Sequence, residues 1–469
     1  MDHVTRRPEP PPNLLIITAD QCRYDCLGVA GKYPVYTPHL DRLASEGMQF
    51  THAYSPIPVC CPARQAFIHG KRAETFGALW NYSGALPVSS LTPEQYAWPR
   101  ELADQYQSGF IGKWGVSPQH DPTAYGFDRY IGEHDYAEFR QTTGVPFPKS
   151  NGYFGEKDPI AVEHSRTHWL ADQTSAMIRG FEDAGKPWHV QVHFPEPHLP
   201  CQPSSPFAEM YSPEDIPEWH NFRETFAGKP YIQNQQLYSW GIEDYEWKDW
   251  APVVARYYAA ISQLDDAVGR ILQTLESVSA AERTWVVFTA DHGDMCGAHR
   301  MMDKHYILYD DVVKVPLIVR GPGIEPDSVC DRFVCNMLDL PPTLLELSGH
   351  RPDMSRFHGS SLLPLLNGRQ PEVWRNEAVA TYNGQQFGLY TQRMIRTLEW
   401  KYIWNTADTD ELYNMQEDPG ELHNLIRDPA CREIIADLRS RLYDVLVAEG
   451  DSLVQNEWMR RQLMLGRKL

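Results

Sequence analysis

NLLIITADQ, residues 13–21, decides the architecture. From Asn13 to Thr18 the chain is apolar without alternation, and it then ends on Ala19 and Asp20. A run of that length without polar alternation predicts a strand buried on both faces, as in a parallel sheet covered by helices. The segment TWVVFT, Thr284 to Thr289, repeats the form and ends in ADHGD. Before it, Val253 to Leu275 carries apolar residues at helical spacing, which predicts a helix feeding a strand. His189 to His193 and Val315 to Val319 are further strand candidates, and TPHLDRLASEG predicts a short helix. In open α/β sheets, ligands sit beyond the carboxyl ends of strands. Strands that end in acids and histidines are therefore expected to share one site.

The pattern changes near Glu372. EAVAT, FGLYT and MIRTLEWKYIW are short strand-like pieces, and a helix is expected from Pro429 to Glu449. The division is placed at residues 1–371 for the catalytic part and 372–469 for a smaller α+β subdomain.

The chain has 469 residues and a formal net charge of -19. That charge argues against a nucleic-acid partner, because phosphate binding needs a basic face. It leaves room for an anionic small substrate, since a few converging lysines can make a local positive site. The nine cysteines follow no short regular spacing, so most are expected to be reduced. The N-terminal stretch has no apolar signal core and no run long enough to span a membrane, so a cytoplasmic protein with no membrane partner is expected. A chain trimmed of a leader, as in a periplasmic or secreted protein, would read the same way.

Cys60-Cys61-Pro62-Ala63-Arg64 is the sharpest chemical signal. Taken alone, it also fits a buried cysteine before a helix whose first turn holds a proline. Its context is more specific. ITADQ, TPHLDRLASEG, YQSGFIGKWG, YGFD, DHGD with Lys304 behind it, NMLDLPPTLLELSG and ELYNMQEDPGELHNL follow in order from about Asn13 to Leu425. Together with C-x-P-x-R they resemble the type I, formylglycine-dependent sulfatases. The resemblance implies an alkaline-phosphatase-like central mixed sheet flanked by helices, with a smaller C-terminal sheet unit.

It also implies a chemistry. A sulfate ester needs a strong nucleophile, neutralisation of its sulfuryl oxygens, and help for a poor leaving group. By resemblance, Cys60 is converted to formylglycine by a formylglycine-generating enzyme, and Arg64 holds the nucleophile's oxygens. Lys113 contacts the sulfate, and Lys304 and His198 act at the leaving oxygen. Asp20, Gln21, Asp291, His292 and the Cys60 position hold a divalent metal. Mainly oxygen ligands suit calcium, with magnesium or manganese as alternatives. His193 reads as structural.

Two departures stand out. Many relatives carry a histidine where this chain has Gly115, so His120, His305 and His69 are the candidates to replace it. Gln21 stands where an aspartate is common. The expected substrate is a sulfate monoester, with a sulfated carbohydrate first. Phosphonate monoester or phosphodiester hydrolysis is the alternative, disfavoured by Lys113. A silent binding member would have lost the nucleophile or the ligands. The aromatic stretch from Trp219 to Trp250 is expected to stack on sugars, form a packed lid, or make an oligomer contact.

Overall fold

The computed structural model describes residues 11–82, 89–148, 154–385 and 388–468. The first ten residues, on which part of the leader reading rests, lie outside them, as does Phe387 of the FGLYT piece.

The larger sheet has eight strands. They are β1 (Asn13–Asp20), β2 (Met48–Tyr54), β3 (Gln107–Gly112), β4 (Arg129–Gly132), β5 (Trp188–Pro197), β6 (Thr284–Ala290), β7 (Leu317–Arg320) and β8 (Ser328–Cys335). Their spatial order is β4-β3-β5-β1-β6-β7-β2-β8. β1 lies parallel to both β5 and β6, and β7 is antiparallel to β6 and β2, so the sheet is mixed. Every residue of β1 and of β6 is buried. This is the physical reason for their unbroken apolar runs: neither face meets water.

Helices α1 (Pro38–Ser45), α2 (Cys60–His69), α3 (Glu133–Thr143), α4 (Arg166–Ala184), α5 (Tyr231–Trp240) and α6 (Trp247–Ser277) come from the connections. α6 is longer than the Val253–Leu275 pattern predicted, because Trp250 and Ala251 carry its buried stripe one turn further back. α4 packs along α6, and α2 packs on the helix Asn336–Leu347. Among the described residues no helix is long and apolar enough to cross a membrane.

The second sheet is antiparallel, in the order β12-β11-β10-β9, from β9 (Ala378–Gln385), β10 (Gly388–Arg396), β11 (Trp400–Asn405) and β12 (Glu411–Asn414). The helix Arg432–Ala448 covers it with Leu438, Leu442 and Leu446, and these close on Ile395, Tyr402 and Trp404 as a separate small core. Thr381 of β9 donates its backbone N–H to the Pro56 carbonyl at 2.9 Å, joining this sheet to the loop before Cys60.

The aromatic stretch is largely core. Trp219 and Trp250 are 1% and 0% exposed. Trp219 packs on the Arg23 guanidinium at 4.3 Å and donates its indole N–H to the Cys296 carbonyl. Of the aromatic residues in the stretch only Tyr231 and Tyr238 are strongly exposed, so packing is the reading that fits most of it.

Candidate active site

β1, β5 and β6 are neighbours, and their carboxyl ends deliver the charged residues to one place. The register between β1 and β5 slips between Ala19 and Asp20. Such a bulge turns the last side chain out of the pleat. Gln21 follows with φ at 65°, a left-handed conformation uncommon for a residue with a side chain. The Asp291 N–H donates to the Ala19 carbonyl at 3.3 Å, tying the ends of β1 and β6 together.

α2 begins at Cys60, so the thiol stands at the positive end of a helix. Pro62 sits in the first turn, where its missing N–H costs nothing. Cys60 Sγ lies 3.2 Å from His292 Nε2 and 3.6 Å from Asp20 Oδ1. One ligand atom from each of Asp20, Cys60, Asp291 and His292 falls within 4.8 Å of the others, and all four residues are buried. Two carboxylates, a sulfur and an imidazole at that spacing fit a divalent cation.

The electrostatics favour charge at this point. Burial and Asp20 push the Cys60 thiol up, but Lys113, Lys304 and His292 outweigh them and hold it well below the usual thiol range. Burial also opposes ionisation of Asp20, yet Lys113, His198, Arg64 and His292 hold its carboxyl well below normal. Asp291 moves the other way, raised by burial and by Asp20 beside it. Burial would lower His292, but Asp291 and Cys60 bring it up to about 9. A cation among these groups would relieve the repulsion between the two carboxylates.

Arg64 lies one turn along α2 and points back into the cluster. Its Nε donates to Asp291 Oδ2 at 3.0 Å and one terminal nitrogen to Asp20 Oδ2 at 3.2 Å. The other donates to the Lys113 carbonyl and to His193 Nδ1, both at 2.8 Å. His193 is thus a buried acceptor for Arg64. Lys113, directly after β3, pairs with Asp20. The Lys304 ammonium donates to Gln21 Oε1 at 2.6 Å and meets His198 Nε2 at 3.0 Å. The loop that carries Lys304 holds five non-glycine residues at positive φ: Cys296, His299, Arg300, Asp303 and Tyr306. Strain of this kind persists only where the surroundings impose it, and it clusters at functional sites.

Gln21 is engaged away from the four-atom cluster. Its amide N–H groups donate to Asp294 Oδ2 at 2.6 Å and Asp303 Oδ1 at 3.0 Å, while its oxygen takes Lys304. Gly115 is glycine for a steric reason. Its φ is +68°, and a Cβ there would stand 2.7 Å from Arg64 Cδ. The expected substitutes do not meet Cys60. His69 bonds the Tyr96 carbonyl, His120 has its ring beside Ser117, and His305 Nε2 pairs with Asp303 at 2.9 Å. The imidazole at the Cys60 sulfur is that of His292.

A cleft of about 380 Å³ opens above the cluster, and Cys60, Lys113, His198 and Lys304 all line it. Asn81, Tyr82, Glu133 and Gln385 line it too, and sequence reasoning missed them. Asn81 Oδ1 accepts the Cys61 N–H at 2.8 Å, capping α2 from a distance. Asp303 also lines the cleft and was missed, though it stands next to Lys304; Asn81, Tyr82, Glu133 and Gln385 belong to no motif.

This arrangement gathers an acidic metal-competent cluster, a sulfur at a helix start and two lysines, the parts that hydrolysis of an anionic ester requires. The description of the Sulfatase family matches residues 12–350, and that of the N-sulphoglucosamine sulphohydrolase C-terminal region matches residues 297–448. The chain belongs to the sulfatase family and is a sulfuric ester hydrolase. It is 29% identical to the delta 4,5-hexuronate-2-O-sulfatase of Bacteroides thetaiotaomicron over 94% of its own length and 90% of that protein. It is 28% identical to the ulvan-active sulfatase of Formosa agariphila, covering 95% and 83% of the two chains. The phosphonate monoester hydrolase of Agrobacterium radiobacter superposes with a TM-score of 0.79 at 26% identity, over 93% of this chain and 96% of that one.

Proposed function

We propose that this enzyme hydrolyses a sulfate monoester of a carbohydrate at the Cys60 cleft. The observation that carries the reading is the convergence of Lys113, Lys304 and His198 on one opening above Cys60. The relatives named for ulvan and hexuronate substrates support a sugar as the alcohol.

In this reading Asp20, Asp291, His292 and the Cys60 position hold a divalent ion, with calcium first and magnesium or manganese as alternatives. Gln21 stands at the edge of that set with its oxygen on Lys304. A formylglycine-generating enzyme converts Cys60 during maturation. So converted, residue 60 would supply the attacking oxygen, and an ion held by these residues would supply charge neutralisation.

The remaining steps belong to side chains the chain already holds. Arg64, locked by two carboxylates, keeps the nucleophile's surroundings fixed. Lys113 pairs with the sulfuryl oxygens, where a half-buried positive charge is worth more than in open water. His198 Nδ1 faces the Leu199 carbonyl at 2.5 Å. If Nδ1 carries the proton, Nε2 is left to accept from Lys304. Burial opposes the Lys304 ammonium, but Asp303 and Cys60 keep it charged. Lys304 and His198 together then neutralise and protonate the departing oxygen.

Phosphonate monoester hydrolysis is the second reading, favoured by the histidine in the cluster and by the fold likeness at a TM-score of 0.79. The deciding experiment is kcat/KM for the sulfate and the phosphonate ester of one alcohol on the same preparation, alongside peptide mass spectrometry at residue 60. Preference for the phosphonate would overturn the sulfatase reading. Unmodified Cys60 in fully active enzyme would overturn the formylglycine step.

A further inference from the structure

The alcohol half of the cleft has a charge of its own. Among the described residues lining the cleft, the lysines are Lys113 and Lys304. Both are turned toward the reacting centre, one onto Asp20 and the other onto Gln21, His198 and Asp303. The outer wall is different. Glu133, the first residue of α3, lines the cleft with its side chain 46% exposed. A recess adjoins the cleft and shares His198 and Pro200 with it.

Charges in that recess can be paired off. Arg140 donates to both oxygens of Asp158, at 2.6 and 2.7 Å. Arg166 donates to Glu196 Oε1 at 2.8 Å. The other oxygen of Glu196 is buried without a partner. Glu133 stands 3.8 Å from Arg166, whose guanidinium is already taken at close range by Glu196. The wall therefore carries one carboxylate more than it carries cations.

We propose that Glu133 is a specificity-determining residue: it selects alcohols that are neutral or carry a cationic group, such as an amino sugar, and rejects esters with a second anionic group, such as a uronate or a further sulfate. The proposal rests on the sulfatase reading and names the substrate class of that same site. The reasoning is that of a half-enclosed carboxylate, less screened than one in open solvent. A second anion on the alcohol is repelled by the carboxylate in excess, whereas an ammonium group gains a charge-assisted hydrogen bond.

The test uses three phenyl sulfates matched in size, with a para aminomethyl, hydroxymethyl or carboxymethyl group. The expected order of kcat/KM is aminomethyl, hydroxymethyl, carboxymethyl, with about tenfold or more between the extremes at low salt. The ratio should shrink at 0.5 M salt, where the screening length is about half that at physiological strength. Glu133→Gln should bring the extremes to within about threefold, and Glu133→Lys should invert them. The salt series on the unaltered enzyme keeps the test alive if either variant folds poorly. Turnover of all three esters at equal rates, or preference for the carboxymethyl ester, overturns the proposal and leaves the sulfatase reading standing. Turnover of none of them overturns both.

Discussion

The floor and the rim of the cleft are built by different rules. The floor consists of Asp20, Cys60, Asp291 and His292, each buried and each at the end of a central strand or the start of a helix, with Asp20 and Asp291 fixed by ion pairs to Arg64. The rim consists of Asn81, Tyr82, Glu133 and Gln385, which lie in loops or at the extreme ends of elements. Chemistry that tolerates little displacement is set on the rigid sheet. Recognition of the alcohol is left to segments that can vary without disturbing it.

The difference can be broken from the floor first. Cys60→Ala should lower kcat/KM by about 10^4-fold or more, as loss of a nucleophile does. Asp291→Ala should lose both bound metal and activity while thermal unfolding still shows one cooperative transition. If Asp291→Ala retains metal by elemental analysis, the four-residue cluster is not the site.

The leaving side comes next. Lys304→Ala and His198→Ala should each slow a sugar sulfate by roughly 100- to 10,000-fold. The loss should be much smaller for a nitrophenyl sulfate, whose phenolate departs unaided. Equal losses on the two substrates would mean that the pair binds sulfate and does not assist departure.

Support beneath the floor gives a stability effect. Arg23 donates to Asp25, to Asp311 and to the carbonyls of Asp294 and Met295, so it clasps the loops after β1 and β6. Burial pushes Asp25 up, but Arg23 and Lys32 outweigh it and hold the carboxyl at about 2. Its folded pKa is below the unfolded value, so the stabilisation is present above about pH 4 and lost as pH falls toward 2, by roughly 2–3 kcal/mol. Asp25→Asn should cost about 3 kcal/mol in urea unfolding at pH 7, with a shallower loss of stability between pH 4 and pH 2. A variant with the slope of the unaltered enzyme would remove Asp25 from the clasp.

The rim should yield the smallest effects. Asn81→Ala removes a remote cap of α2 and should cost about 1 kcal/mol of stability. Its effect on KM should stay within roughly tenfold. A loss comparable to that of Lys304→Ala would place Asn81 on the floor in function.

The same division explains what could be read from sequence. β1 and β6 announced themselves because burial on both faces demands unbroken apolar runs, and the residues after them were therefore placed at one sheet edge. Cys60, Arg64, Lys113 and Lys304 were legible through the motifs that resemble those of the type I sulfatases. Glu133 was not, because a helix-initial glutamate is ordinary wherever helices begin. Gln21 was placed beside the metal from its position, but its amide direction depends on Asp294 and Asp303, hundreds of residues away. Gly115 read as a missing histidine, and only the path of Arg64 shows why no side chain fits there. Trp219 and Trp250 stayed open between sugar stacking, a packed lid and an oligomer contact, because aromatic content alone does not say which face meets water.

The place of β1 in the sheet also sets a schedule for biosynthesis. It leaves the ribosome well before its partners, residues 188–197 and 284–290. At about 5–20 residues per second, the NLLIIT segment waits roughly 15–50 s before β6 exists to cover it. An uncovered strand of that composition is a site for wrong pairing. Nascent chains should therefore lean on holding chaperones until translation passes residue 290, and slower elongation should lower the soluble yield.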